Sequence, residues 1–240
     1  MNNFGSQIFL ILSFSCLISC KVPSQIQLSD IRSKQKQLLF EDSFENGLEN
    51  WIVEKEDIGT SEVYARDGKM IVDVGGGTTV WFKELITYEN VLIQYNRKVI
   101  MNNGKNDRLS DLNQFWMAND PEDADLFTRS GSFSEYDYLS MYYAGIGGNR
   151  NTTTRFRKYL GNGDRKLIHD LTEKQNLLEP NKTYFIQILV LEGLTKLFVD
   201  GTEIFSYLDQ EPLKKGYFGF RTVQSHQEID DFKIFAIKIK

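Results

Sequence analysis

Arg155, Arg157 and Arg221, together with His226, Tyr142 and Tyr143, are the residues of this chain whose types and spacing could do chemistry. An arginine fork matches a carboxylate or a sulfate bidentately. If that carboxylate sits beside an acidic carbon, fixed positive charge stabilises the enolate-like anion that forms when the proton leaves. Such a step needs a base for the proton and an acid for the leaving group, and near neutral pH histidine and tyrosine serve both roles. The chain has only two histidines. His226 follows the Arg221 segment in what reads as a polar loop and is the expected base, a plain surface histidine being the alternative. His169 reads as structural. Tyr143 is the expected acid, its phenol activated by an adjacent arginine. Asn113 and Asn149 suit a carboxylate or a ring hydroxyl, although Asn149 equally fits a turn after Gly147-Gly148.

These side chains need elements to hold them, and the pattern is of strands. No long stretch repeats apolar residues with helical spacing, whereas short alternating runs recur throughout. Val63 to Arg66 and Lys69 to Val72 flank Asp67-Gly68, a favoured hairpin turn. Tyr184 to Leu191, Leu194 to Val199 and Thr202 to Tyr207 read as a meander turning at Glu192-Gly193 and Asp200-Gly201. Val91 to Ile100, Leu112 to Met117, Tyr138 to Ala144, Thr152 to Tyr159, Gly216 to Thr222 and Phe232 to Ile239 add further strands. The expected fold is therefore all-β, a jelly-roll sandwich of two antiparallel sheets with one grooved face. Along Gly216 to Thr222, Phe218 and Phe220 should face the core, leaving Tyr217 and Arg221 toward the groove. Arg155 and Arg157 share a face of their strand, and the reading brings Arg155 and Arg221 within reach of one carboxylate. Tyr142 and Tyr143 must point to opposite faces, and Tyr143 is preferred for the groove. Aromatics make up 13% of the chain. Most read as core, whereas Trp116, Tyr142 and Tyr143 sit among polar residues and suit a sugar-stacking platform.

Other classes are excluded or set aside. Ile8 to Ile18 is a short apolar run ending in Leu17-Ile18-Ser19-Cys20, which reads as an export signal of residues 1–20 with a lipobox. Cys20 would then carry lipid, anchoring an exported lipoprotein of the cell envelope to a membrane. The alternative is an ordinary cleaved signal. Residues 21–37 read as a polar tether and 38–240 as one domain. Of the two cysteines, Cys16 would leave with the signal and Cys20 be consumed by acylation, excluding a cysteine nucleophile or a Cys-ligated metal. A net charge of −5 argues against nucleic acid. Gly75-Gly76-Gly77 lacks the Lys-Ser/Thr of a phosphate loop. No cofactor is expected; Asp42, Asp230 and Asp231 could hold a structural Ca²⁺, with solvated turns as the alternative.

Four stretches carry a resemblance. Asn106 to Met117, Tyr142 to Asn149, Asn151 to Arg157, and Gly219 to Thr222 followed by Ser225-His226 resemble a bacterial family of concanavalin-like jelly rolls. Its genes lie among those for degrading rhamnose- and uronate-containing polysaccharides. Within that family the chain is most similar to the ulvan-oligosaccharide dehydratases. The resemblance implies an anionic oligosaccharide as partner. It also implies elimination of water across C4–C5 of a terminal uronate, giving a 4,5-unsaturated product. A polysaccharide lyase would use the same groups with a sugar as leaving group. A non-catalytic carbohydrate-binding lipoprotein is the third reading, because a fold does not fix a reaction.

Overall fold

Side chains alternate between two faces along the strands of the computed structural model, which describes residues 28–30 and 36–238. The signal of residues 1–20, Cys20 and most of the 21–37 tether lie outside the described residues. Among the described residues thirteen strands run antiparallel: β1 Lys36–Asp42, β2 Trp51–Lys55, β3 Glu62–Arg66, β4 Lys69–Phe82, β5 Val91–Val99, β6 Leu112–Asn119, β7 Ser140–Gly147, β8 Thr153–Leu160, β9 Arg165–Leu171, β10 Thr183–Leu191, β11 Leu194–Val199, β12 Thr202–Leu208 and β13 Tyr217–Ile237. Among the described residues the one α-type element, α1 Gly148–Asn151, is a single turn. The expected hairpin and meander form as read, with Asp67, Gly68, Glu192, Gly193, Asp200 and Gly201 all at positive φ.

Hydrogen bonds link all the strands in the order β12-β11-β10-β5-β13-β6-β7-β8-β9, with β4 on the other edge of β13 and carrying β2 and β3. The sandwich comes from β13, which is 21 residues long. Its first half pairs with β6, through Arg221↔Asn113 among others, and its second half pairs with β5. Bulges at Val223/Ser225 and Asp230/Lys233 bend it between the two layers. The sequence reading split this strand into two around a loop at His226. Instead, β4 pairs along 225–229 and keeps the backbone extended. The Gly75-Gly76-Gly77 run, set aside as a phosphate loop, lies inside β4.

The main core fills the space between the layers. Trp116, Tyr142 and Phe156 of β6, β7 and β8 meet Leu197 and Phe205 of β11 and β12. Trp116 stacks on Phe156 at 5.6 Å and 3°, and Phe156 on Phe205 at 5.8 Å. Each such pair adds about 0.5–1.5 kcal/mol beyond its buried area. A second cluster, Trp81, Phe115, Tyr136, Tyr143 and Tyr159, covers part of the opposite face of β4-β13-β6-β7-β8. Gly219 makes room there, since a Cβ would overlap the Trp81 ring.

Candidate functional site

One rung of the front sheet carries the site. Its register runs Glu54↔Thr79↔Arg221↔Asn113↔Gly145↔Arg155↔Asp170 across β2, β4, β13, β6, β7, β8 and β9. The rung two residues away runs Trp81↔Gly219↔Phe115↔Tyr143↔Arg157↔Leu167. Strands spaced about 4.8 Å apart put Arg221 and Arg155 on the flanks of a hollow floored by Asn113 and Gly145. The result is a cleft of about 210 Å³ lined by Asp111, Tyr143, Asn149, Arg157 and both of these arginines, with Phe133 at its rim.

Arg221 is the unusual member. Its side chain is 1% exposed, and Nη1 donates to Thr79 Oγ1 at 2.9 Å and to the Gly131 carbonyl at 3.1 Å. The guanidinium lies 4.5 Å from the Tyr136 ring centroid and 5.4 Å from that of Phe133. Among the described residues Nε and Nη2 have no hydrogen-bond partner. A buried charge with free donors is costly unless a ligand completes it. The loop that delivers Gly131 approaches β4 at Gly77, where a Cβ on either glycine would collide with the other's carbonyl oxygen. That loop is pinned by Arg129, which bonds the Leu126 and Glu135 carbonyls and pairs with Asp120.

Beside Arg221 runs a short polar chain. The Tyr143 hydroxyl donates to Asn113 Oδ1 at 2.9 Å, and Asn113 Nδ2 donates to Asp111 Oδ2 at 2.8 Å. The other Asp111 oxygen accepts from Thr222 Oγ1 at 2.9 Å and pairs with Arg108 at 3.4 Å. This fixes which way the Asn113 amide points. Gly145 is required alongside, because a Cβ there would overlap both the Tyr143 hydroxyl and Asn113 Oδ1. Burial raises the Tyr143 pKa above that of a free phenol; Tyr159 and Asp111 add to this, and the opposing pull of Arg157 and Arg221 is weaker. The expectation of an arginine-activated phenolate is thus corrected: in the free protein Tyr143 keeps its proton. Arg157 sits over the Tyr143 ring at 5.7 Å, and Arg155 pairs with Asp170 at 3.0 Å.

The structure gathers Arg155, Arg221, Tyr143, Asn113 and Asn149 around this cleft and leaves out three expected residues. His226 does not line it. It stands further along β13, opposite Asp73 of β4, and Nδ1 of His226 bonds Asp107 at 3.1 Å. Trp116 and Tyr142 are no platform, because both point between the layers. Trp116 Nε1 donates to Thr195 Oγ1 at 3.1 Å, and the Tyr142 hydroxyl donates to Asp209 Oδ2 at 2.6 Å. Asn149 sits at φ 57° in a left-handed turn, so it is a turn residue and a lining residue at once. Sequence reasoning passed over Asp111, although it lies in a stretch singled out for its resemblance. It also missed Phe133 and Thr79, which no periodicity marks.

Two other hollows lack such donors. The first lies beside Asp42 and Asp231. Asp42 there accepts from the Phe44 N–H, Asn50 and the Trp51 indole, and Asp231 pairs with Lys233. Both Asp42 oxygens and one Asp231 oxygen are thus engaged by N–H donors. Among the described residues no group of three or more His, Cys, Asp or Glu is placed to hold a metal. The second, wider hollow runs between residues 171–184 and 199–204, and its Lys182 pairs with Glu179.

Comparison with solved structures places the fold. A protein of unknown function with a galectin-like fold from Bacillus subtilis superposes with a TM-score of 0.67 at 16% identity, covering 85% of this chain and 100% of that one. The endo-β-1,3-glucanase of Pyrococcus furiosus gives 0.63 at 12% identity, over 91% and 100%. The carbohydrate-binding module CBM66 of Bacillus subtilis gives 0.54 at 11% identity, over 77% and 94%. No functionally curated protein matches the sequence. A family profile does match residues 72–232. That span runs from within β4 to within β13 and holds every residue that lines the cleft. The chain belongs to that family, described as a domain of unknown function, DUF6250.

Proposed function

We propose that the cleft binds the acidic sugar at the end of an oligosaccharide and acts on it by β-elimination. The observation that carries this is the pair of unpartnered N–H donors on buried Arg221, beside the Tyr143 hydroxyl. A uronate carboxylate supplies two oxygens in the plane of that guanidinium and completes its hydrogen bonding. Three arginines line the cleft against one carboxylate, Asp111, so the lining favours an anion although the whole chain is acidic. The galectin-like, glucanase and binding-module folds among the similar structures support a carbohydrate ligand.

Glycoside hydrolysis needs two carboxylates flanking the bond, about 5–9.5 Å apart. With Asp111 alone on the lining, elimination is the better fit. In that step Arg221 holds the carboxylate and stabilises the charge spreading into it. Asp111 takes the C5 proton, the C4–C5 double bond forms, and the C4–O bond breaks as Tyr143 gives its proton to the leaving oxygen. A hydroxyl then leaves as water. The cleft is smaller than the roughly 300–1,000 Å³ of drug-sized ligand pockets, which suits a terminal residue and hence a dehydratase. Ulvan-type oligosaccharides fit this description. The protein would work in the cell envelope, held there by lipid on Cys20.

The test is incubation with uronate-ended oligosaccharides, followed by ultraviolet absorbance of the conjugated product and mass spectrometry. Loss of one water from an intact chain supports the dehydratase, and shortened chains point to a lyase. Tight binding with no new absorbance would leave only the carbohydrate-binding reading.

A further inference from the structure

Arg97 lies where a core would ordinarily place an aliphatic side chain. It projects from β5 at the seam where β13 passes from one layer to the other, and it is 1% exposed. Among the described residues no carboxylate pairs with it. Nη1 donates to the Asn113 carbonyl at 2.7 Å, Nη2 to the Arg221 carbonyl at 3.3 Å, and Nε and Nη2 to Gln227 Oε1 at 2.9 and 2.6 Å. Phe220 lies beneath it at 5.0 Å. Burial lowers its pKa to about 10, so it remains charged at neutral pH.

Gln227 extends the arrangement. Its Nε2 donates to the Asp111 carbonyl at 3.2 Å, to Thr222 Oγ1 at 3.0 Å and to Ser225 Oγ at 2.9 Å. The Arg97–Gln227 pair therefore grips the backbone carbonyls of Asp111, Asn113 and Arg221. Those are three of the residues whose side chains emerge on the other face to line the cleft. A buried ion adds little or nothing to stability over a well-packed apolar residue of similar size. What it supplies here is direction, because a planar fork with several fixed donors locks the backbone atoms it bonds.

We propose that Arg97 is a positioning residue for the cleft: working from inside the sandwich, it sets the backbone from which Asn113 and Arg221 meet the ligand. The inference rests on the acidic-sugar reading for its functional consequence, but not for its structural one. A displacement of about 1 Å in such a site costs up to about 100-fold in rate.

The test compares Arg97→Met and Arg97→Lys with the unaltered protein by two measurements. The first is the NMR signal of the Arg221 Nε–Hε group, assigned by its loss in Arg221→Lys. The second is calorimetric affinity for glucuronate against its neutral methyl ester. In Arg97→Met the near-ultraviolet circular dichroism should persist while the Arg221 signal shifts and broadens. The preference for glucuronate should fall about tenfold or more, with Arg97→Lys intermediate. A lowered melting temperature with both the Arg221 signal and the preference unchanged would reduce Arg97 to a structural residue and overturn the proposal. If the unaltered protein shows no preference for glucuronate, the acidic-sugar reading fails, and the Arg221 signal still decides the role of Arg97. Should Arg97→Met not fold, Arg97→Lys keeps the charge and loses the fork that bonds the Asn113 and Arg221 carbonyls, and an unmoved Arg221 signal there overturns the proposal equally.

Discussion

Arg221 and Asn113 face each other as a register pair of β13 and β6, and one buried guanidinium, that of Arg97, bonds both of their carbonyls. Their own side chains leave on the opposite face, one ending in free N–H donors and the other holding the Tyr143 phenol.

Replacing Arg221 separates function from stability. Arg221→Lys keeps the charge and loses the fork, so turnover of a uronate substrate should fall at least tenfold. Arg221→Met places an apolar chain among Tyr136 and Phe133, and the melting temperature should hold or rise while activity disappears. Retained turnover in Arg221→Met would end the proposed role.

Tyr143→Phe removes one hydroxyl from a packed ring. Elimination should slow by about 100-fold or more with substrate still bound, since general acid–base groups contribute about 10²–10⁴. Gly145→Ala should be at least as damaging, because the added methyl displaces the Tyr143 hydroxyl and Asn113 together. Steady-state kinetics on both variants decides this.

His226→Ala should leave the chemistry nearly intact and loosen the 102–111 loop instead. Burial alone would raise the Asp107 carboxyl, but the N–H groups of Gly104 and Asn102 and the His226 imidazole outweigh it and hold its pKa below 3.8. A carboxyl depressed on folding stabilises the native state above its unfolded pKa, and that contribution fades as pH falls through the folded value. Acid titration of the unaltered protein should therefore show stability draining away below about pH 4, less steeply in Asp107→Asn. A large loss of turnover in His226→Ala would return the histidine to the site.

The alkaline limit follows from the tyrosines. Burial raises the pKa of Tyr95, Tyr136, Tyr142 and Tyr143 above 10.0, so each keeps its proton longer in the fold than in the open chain. Their contribution is complete below pH 10 and is lost as pH climbs toward the folded values. Phenolate absorbance should thus appear together with unfolding, and Tyr142→Phe should lessen the coupling. Full titration of all the tyrosines before unfolding would contradict these burials.

Trp116→Ala should cost about 3–5 kcal/mol in stability and leave ligand affinity per folded molecule unchanged. Chemical denaturation paired with binding measurements tests both halves.

The legible part of the fold was whatever period two could report. The faces of Gly216 to Thr222 and Thr152 to Tyr159 came out as read, which put Arg221, Arg155 and Arg157 on the cleft side. Polar composition was a poorer guide: it made a loop of the segment around His226, which is continuous strand paired with β4. Period two is blind where glycines replace side chains, so the middle of β4 was missed. Polarity of neighbours misled for Trp116 and Tyr142, whose buried contacts come from β11 and the segment after β12. Arg97 carries no sequence signal at all, since its meaning depends on backbone carbonyls supplied by β6 and β13.

The length of β13 has a consequence for how the chain comes to be folded. It pairs with β1, β4, β5 and β6, joining Leu38 to Phe235 across nearly the whole sequence. The β6–β9 and β5-β10-β11-β12 groups can pair ahead of it, but neither layer has its central member until this strand arrives. Contacts so distant make assembly slow and leave hydrophobic edges open in the meantime.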